Sequence, residues 1–282
     1  MKERSEKTRV YLDFVIRMIS ASGALLGLVF LIWILAVVLL RGIASIDWAF
    51  FTELPAPPGM GGGGLANAIL GTLIITVLAT LLSVPFGLLA GIYLSEFGGQ
   101  SKFAQSIRFF TNILMGTPSI IIGIFVYTLL VRPIGHFSGY AGAVALAILM
   151  LPLVARTTED MLQLVPSALR ESALALGMPR WKVTLNVVFR ASKKGLITGI
   201  MLAVARISGE TAPLLFTALN SPYWPENFAR PTANLTVTIF NYAMSPYADW
   251  QQLAWGASFL ITFTVLITTI GVRYLVRDKH VK

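Results

Sequence analysis

Residues 18–40, MISASGALLGLVFLIWILAVVLL, run for 23 positions without a charge between Arg17 and Arg41. A bilayer core roughly 30 Å thick needs about 20 apolar residues of helix to cross it. In hydrocarbon every backbone N–H and C=O must be paired within the protein, which makes a helix the solution for a single continuous run of this length. This stretch therefore commits the chain to a membrane. A signal peptide would show a shorter apolar region and then a small-residue cleavage site; neither is present, so the segment is expected to be retained.

The rest of the chain repeats the pattern. Of its 282 residues, 56% are hydrophobic and 12% charged, where soluble domains carry about a quarter charged residues. Further runs at 67–94, 109–131, 137–155, 196–219 and 253–275 are long enough, or nearly so, to cross. The sequence predicts an all-α membrane protein of six transmembrane helices. An N-terminal segment 1–17 leads into a transmembrane domain 18–282, which includes a polar interval at 156–194.

Six crossings place both termini on one side. Of 22 Lys and Arg residues, 18 fall on that side, in 1–17, 95–108, 156–194 and 273–282; Arg41, Arg132 and Arg230 lie opposite, and Arg206 lies within a span. The positive-inside rule then puts the termini and the 156–194 interval in the cytoplasm. Topology accounts for the net charge of +9 without nucleic acid as a partner.

Other chemistries are poorly supplied. There is no cysteine, which removes disulfides, thiolate metal sites and cysteine nucleophiles. His136 and His280 stand far apart in the chain without a carboxylate arranged for a metal. LPAPPGMGGGGLAN at 54–67 has glycines but no Lys-Ser or Lys-Thr after them, so it reads as a flexible connector and not a phosphate loop. With no Walker pattern, ATP hydrolysis by this chain is not expected. Glycines four apart at Gly23 and Gly27, Gly87 and Gly91, and Gly195 and Gly199 suit close helix packing. Pro85, Pro118, Pro152 and Pro213 lie in or near spans and favour kinks.

Between Arg156 and Lys194 ten charges appear, punctuated by Pro166 and Pro179. PSALRESALALG predicts a helix entered at Pro166 and Ser167, with Leu169, Ala173 and Leu176 on one apolar face and a left-handed cap at Gly177. MPRWKVTLNVVFR predicts a second helix beginning near Pro179. An amphipathic unit of this kind fits two settings, the membrane surface, held by Trp181 and the basic residues, or a groove on a cytoplasmic partner.

The stretch resembles the EAA loop of ABC importer permeases, which reads Glu-Ala-Ala, three residues, Gly, nine residues, then Ile-x-Leu-Pro. Glu171, Ser172, Ala173 and Gly177 fill its first part at the right spacing; the second falls on Val187, Phe189 and Arg190, where the proline is missing. More widely, GTPSIIIGIF (116–125), RTTEDMLQLVPSALRESALALG (156–177), ARISGETAPLLFTAL (205–219) and FNYAMSPYADWQQLAWG (240–256) resemble, in order, the phosphate-specific permeases of this class. That resemblance implies a type I ABC importer permease architecture in a bacterial inner membrane. It also implies three kinds of partner: a related permease subunit, an ATPase dimer and a periplasmic phosphate-binding protein. ATP and Mg would be used by the ATPase, with no cofactor bound by this chain. Glu171, Ser172, Ala173 and Gly177 would dock on that ATPase.

Arg206 and Glu210 lie within the 196–219 run. A charge at mid-bilayer costs about 2.5 to 3.5 kcal/mol on insertion scales, so both are expected to face protein or water. Spaced four apart, they fall on one helix face within pairing distance. An ion pair fastening the bundle and an element of an anion pathway both fit, and a guanidinium that grips two phosphate oxygens favours the second. The family resemblance associates the matching pair, and the position of Arg156, with transport. Arg156 also fits an arginine snorkelling at the cytoplasmic end of a span. The leading expectation is a non-catalytic permease of a phosphate importer. A permease for another oxyanion, molybdate or sulfate, keeps the same architecture, while an ion-coupled secondary transporter would leave the EAA-like loop unexplained.

Overall fold

A computed structural model of the protein describes residues 6–276, with side chains for 8–274. His280 and the basic residues Lys2, Arg4, Arg277, Lys279 and Lys282 lie outside the described residues. The described regular structure is helical apart from one isolated bridge between Pro55 and Gly63.

The first apolar run belongs to a longer helix, α1 (Glu6–Ile43), which continues without a break through much of the predicted N-terminal segment. α2 (Ala66–Ile92) widens into a turn at Tyr93–Phe97. α3 (Lys102–Gly116) and α4 (Ser119–Val126) follow, then α5 (Gly139–Gln163), a short α6 (Ser167–Ala175), α7 (Phe189–Ser208), α8 (Leu235–Ala243) and α9 (Ala248–Val276). Four stretches among the described residues are individually long and apolar enough to cross: Thr8–Ile43, Ala66–Phe97, Gly139–Gln163 and Ala248–Tyr274.

Two of the six expected spans are not straight crossings. The 109–131 run is divided between α3 and the segment Ser119–Ile134, which meet at a bend of 103°. The break falls at Thr117 (φ −76°, ψ 131°) and Pro118 (φ −55°, ψ 132°). Proline disfavours helical geometry in the residue before it and has no N–H to bond four residues back, here to Leu114. The 196–219 run is likewise interrupted: α7 stops at Ser208, Gly209 follows, and a four-residue helix Ala212–Leu215 begins around Pro213. Pro85 and Pro152, in contrast, sit inside α2 and α5 without ending them.

α5 is the centre of the bundle. Gly87 and Gly91 bring α2 against it: a Cβ on Gly91 would lie 2.5 Å from Thr158 Cβ and 2.6 Å from the Ala155 carbonyl oxygen. On another side, Gly199 of α7 leaves room for Thr157, whose Cγ2 would be 2.2 Å from an added Cβ, and Gly195 leaves room for Met161. These two glycine pairs serve close packing. Gly23 and Gly27 of α1 have nothing within 4 Å of an added Cβ, so among the described residues they pack against no other helix. Ile75 and Ala79, Leu146 and Met150, and Ala203 and Ile207 join α2, α5 and α7 in one buried core.

The 54–67 stretch departs from the flexible connector expected of it. It doubles back, with Gly64 N–H donating to the Leu54 carbonyl at 3.0 Å and Trp250 Nε1 to the Ala56 carbonyl at 3.3 Å. Gly59, Gly62 and Gly63 take positive φ values there, which glycine adopts without steric cost.

Candidate functional site

The EAA-like loop is built as its punctuation suggests. Pro166 precedes α6, and Gly177 adopts φ +81° beyond its end. Met178 N–H donates back to Ala173 O at 3.3 Å and Gly177 N–H to Leu174 O at 2.9 Å, the paired reverse bonds by which a left-handed glycine closes a helix. Of the expected apolar face, Ala173 is buried against this chain, whereas Leu169 and Leu176 are exposed, Leu176 by 84%. Glu171, Ser172 and Gly177 are exposed beside them.

The second predicted helix is the beginning of α7. Arg180–Val183 passes through a wide turn, Thr184–Val188, directly into Phe189. Arg190, at the position where the EAA pattern has proline, therefore lies inside a continuous helical path. Val183, Val188 and Leu196 pack with Leu162, Val165 and Ala173 in a second buried cluster, which seats the loop on the ends of α5 and α7.

Charge concentrates where α5 approaches this loop. Arg156 does not stand at the end of its helix, as α5 continues to Gln163. The correction changes its partners: Arg156 lies 3.3 Å from Asp160 and 3.7 Å from Glu159, on its own helix face. Glu159 is 2% exposed and accepts from Arg108 Nε of α3 at 2.7 Å and from Gln163 Nε2 at 3.3 Å, both on Oε1. Its Oε2 is buried without a hydrogen bond among the described residues. Arg108 also donates to the Leu94 and Gly99 carbonyls, tying α3 back to the end of α2. Glu96, in the wide turn after α2, pairs with Arg170 of α6.

Sequence reasoning missed Glu96, Arg108, Glu159 and Arg170. The spacing of Arg156, Glu159 and Asp160 at i, i+3 and i+4 signals one helix face. Burial of Glu159, and its pairing across 51 residues with Arg108, follow only from the packing of α3 on α5.

Arg206 and Glu210 pair as expected, at 4.0 Å, but not within one helix. Arg206 is in the last turn of α7; Glu210 follows the Gly209 break. Arg206 is 62% exposed on this chain and Glu210 19%. The Glu210 carbonyl accepts from Thr236 Oγ1 of α8 at 2.9 Å, which fixes the backbone just after the break. Arg156 and Arg206 pair with different carboxylates, so the structure presents two charged sites.

Residues 83–281 match the family described as binding-protein-dependent transport system inner membrane component. The chain is 49% identical over 278 residues to the phosphate transport system permease protein PstA of Yersinia pestis, covering 98% of this chain and 92% of that one. It is 50% identical over 262 residues to the PstA of Haemophilus influenzae, covering 93% and 92%. Among solved structures, a chain of a bacterial alginate ABC transporter in complex with a periplasmic protein superposes with a TM-score of 0.66 at 13% identity, covering 97% of this chain and 98% of that one. A chain of the MetNI methionine ABC transporter gives 0.64 at 20%, covering 76% and 94%. Both are likenesses of fold.

Proposed function

Because the chain belongs to the PstA family of phosphate transport permeases, we propose that its exposed α6 is the point at which a separate ATPase drives it. The chain is the membrane subunit of a phosphate ABC importer, is multi-pass, and is itself non-catalytic. The observation that carries the docking reading is the construction of α6: a short helix closed at Gly177, with Glu171, Ser172 and Leu176 facing outward. A chain without a Walker pattern needs a surface of this kind to receive work done elsewhere.

In this reading Glu171, Ser172, Ala173 and Gly177 form the coupling element, with Ala173 seating the helix and the other three at its outer side. An ATPase dimer binds there and uses ATP and Mg, while this chain holds no cofactor. A second, related permease completes the channel, and a periplasmic phosphate-binding protein delivers substrate from the opposite side. The chain makes six crossings of a bacterial inner membrane, counting the bent α3–α4 pair and α7 with its following segment, and its termini and α6 are cytoplasmic. The excess of Lys and Arg on that side supports the orientation.

Arg206 serves the phosphate pathway, Glu210 restrains it at rest, and Arg156 is a second transport residue. The exposure of Arg206 supports this assignment, since a guanidinium left open by its own chain is free to face a channel or a second subunit. Glu210 would repel phosphate by itself, so its pairing with Arg206 must loosen or be neutralised as the anion passes.

The test is purification with the neighbouring subunits, reconstitution, and measurement of phosphate-dependent ATP hydrolysis and uptake. Gly177→Pro and Glu171→Lys are expected to lose both ATPase co-purification and phosphate uptake. If both variants keep wild-type levels of each, α6 is not the docking element.

A further inference from the structure

α2 ends in the wide turn Tyr93–Phe97, which carries Glu96. The fourth residue of α6, Arg170, meets it: Nη2 donates to Glu96 Oε1 at 2.8 Å and Nε to Oε2 at 3.2 Å. This two-point fork fixes angle as well as distance, which a lysine ammonium in the same place would not. The same guanidinium donates to the Leu162 carbonyl at 2.7 Å and to the Val165 carbonyl. Leu162 is in the last turn of α5 and Val165 lies just past its C-cap, Leu164, where the helix dipole favours a cation. Three elements, α2, α5 and α6, are thus joined on one side chain. Glu96 is 9% exposed and Arg170 23%, so water competes only weakly for the fork.

The apolar anchorage of α6 is slight by comparison. Ala173 is its buried residue, and a single methyl group brings little area out of water. Its orientation relative to α2 and α5 therefore depends on the polar fork. Displacement of α6 would have to carry the end of α2 and the end of α5 with it, or else break bonds to a shielded carboxylate.

We infer that Glu96 and Arg170 are positioning residues that pass movement of α6 into α2 and α5. The inference rests on the reading of α6 as the ATPase-docking element. Its test uses the full importer in proteoliposomes, with Glu96→Gln, Arg170→Lys and the charge-exchanged double variant E96R/R170E. ATPase co-purification reports docking, and phosphate transported per ATP hydrolysed reports coupling. Both single variants are expected to keep the ATPase bound while that ratio falls by about fivefold or more. The exchanged pair is expected to stay as low as the single variants, because a carboxylate at 170 has nothing to donate to the Leu162 and Val165 carbonyls at the end of α5.

Glu96→Gln preserves side-chain shape, so an assembled complex reports on the pair and not on folding. An unchanged ratio in both single variants overturns the inference. Loss of the ATPase with Arg170→Lys but not with Glu96→Gln also overturns it, because Arg170 would then be contacting the ATPase itself. Failure of the docking reading is seen separately, as retention of ATPase by the Glu171 and Gly177 variants.

Discussion

Arg206 and Glu159 show why a charge in an apolar chain has to be weighed with its surroundings. The Arg206–Glu210 contact is long, at 4.0 Å, and the guanidinium is 62% exposed on this chain. A pair of that kind contributes about 1 kcal/mol or less to stability. Arg206→Ala is therefore expected to leave thermal unfolding of the purified chain nearly unchanged. Phosphate uptake at matched membrane levels should fall about 10-fold or more, the loss expected for a charge-assisted hydrogen bond to the anion. Wild-type uptake would remove Arg206 from the pathway.

Glu159 is the opposite case, a carboxylate 2% exposed with Arg108 at 2.7 Å. Removing one partner of a buried pair costs about 3 to 5 kcal/mol. Glu159→Ala should therefore lower the unfolding temperature clearly in a detergent melt. Asp160→Ala, at a carboxylate 44% exposed, should cost about 1 kcal/mol or less in the same assay.

At the scale of elements, glycine and proline act through different physics in different places. Gly199→Val would drive a side chain into Thr157, 2.2 Å from the first added atom, where α7 crosses α5. In Gly23→Val the first added atom would meet nothing within 4 Å among the described residues. The first is expected to reduce monodisperse protein on size-exclusion chromatography sharply, and the second to leave the isolated chain's yield unchanged. Gly177 is constrained by backbone and not by space: nothing lies within 4 Å of an added Cβ, but φ is +81°. Gly177→Ala should cost about 1 kcal/mol of loop stability, read as a several-fold weaker hold on the ATPase. Pro118 ends a helix while Pro85 and Pro152 do not, although all three occupy apolar sequence. The difference lies in neighbours. Pro85 and Pro152 sit where α2 and α5 pack along each other, and that contact holds the helical path across the missing hydrogen bond.

For the molecule as a whole, the proposed orientation gives a direct check. The absence of cysteine lets single cysteines be placed on a silent background. Lys182→Cys, beside α6, is expected to react with a membrane-impermeant thiol reagent only in inside-out vesicles. Tyr223→Cys, in the exposed loop before α8, should react only in right-side-out ones. Labelling of both from the same side would refute the six-crossing arrangement.

Much of this architecture was legible in order along the chain, because lipid imposes a length and polarity rule that acts locally. The 18–40 run, the helical α6 and the left-handed Gly177 each follow from nearest neighbours, as does the spacing of Glu171 and Gly177 that resembles the EAA loop. The ends of the crossings were less legible. α1, α5 and α7 run on into polar sequence, where pairing such as Arg156 with Asp160 replaces lipid as the support for the helix.

The sequence by itself determined that this is a helical membrane protein with a charged loop helix, and carried its resemblance to the phosphate permeases. Only the tertiary structure decided that 109–131 turns through 103°, that α7 stops between Arg206 and Glu210, and that Arg108 and Arg170 find carboxylates 51 and 74 residues away. Helical periodicity is a property of neighbours in sequence. The burial of a charge depends on which distant helix arrives to cover it.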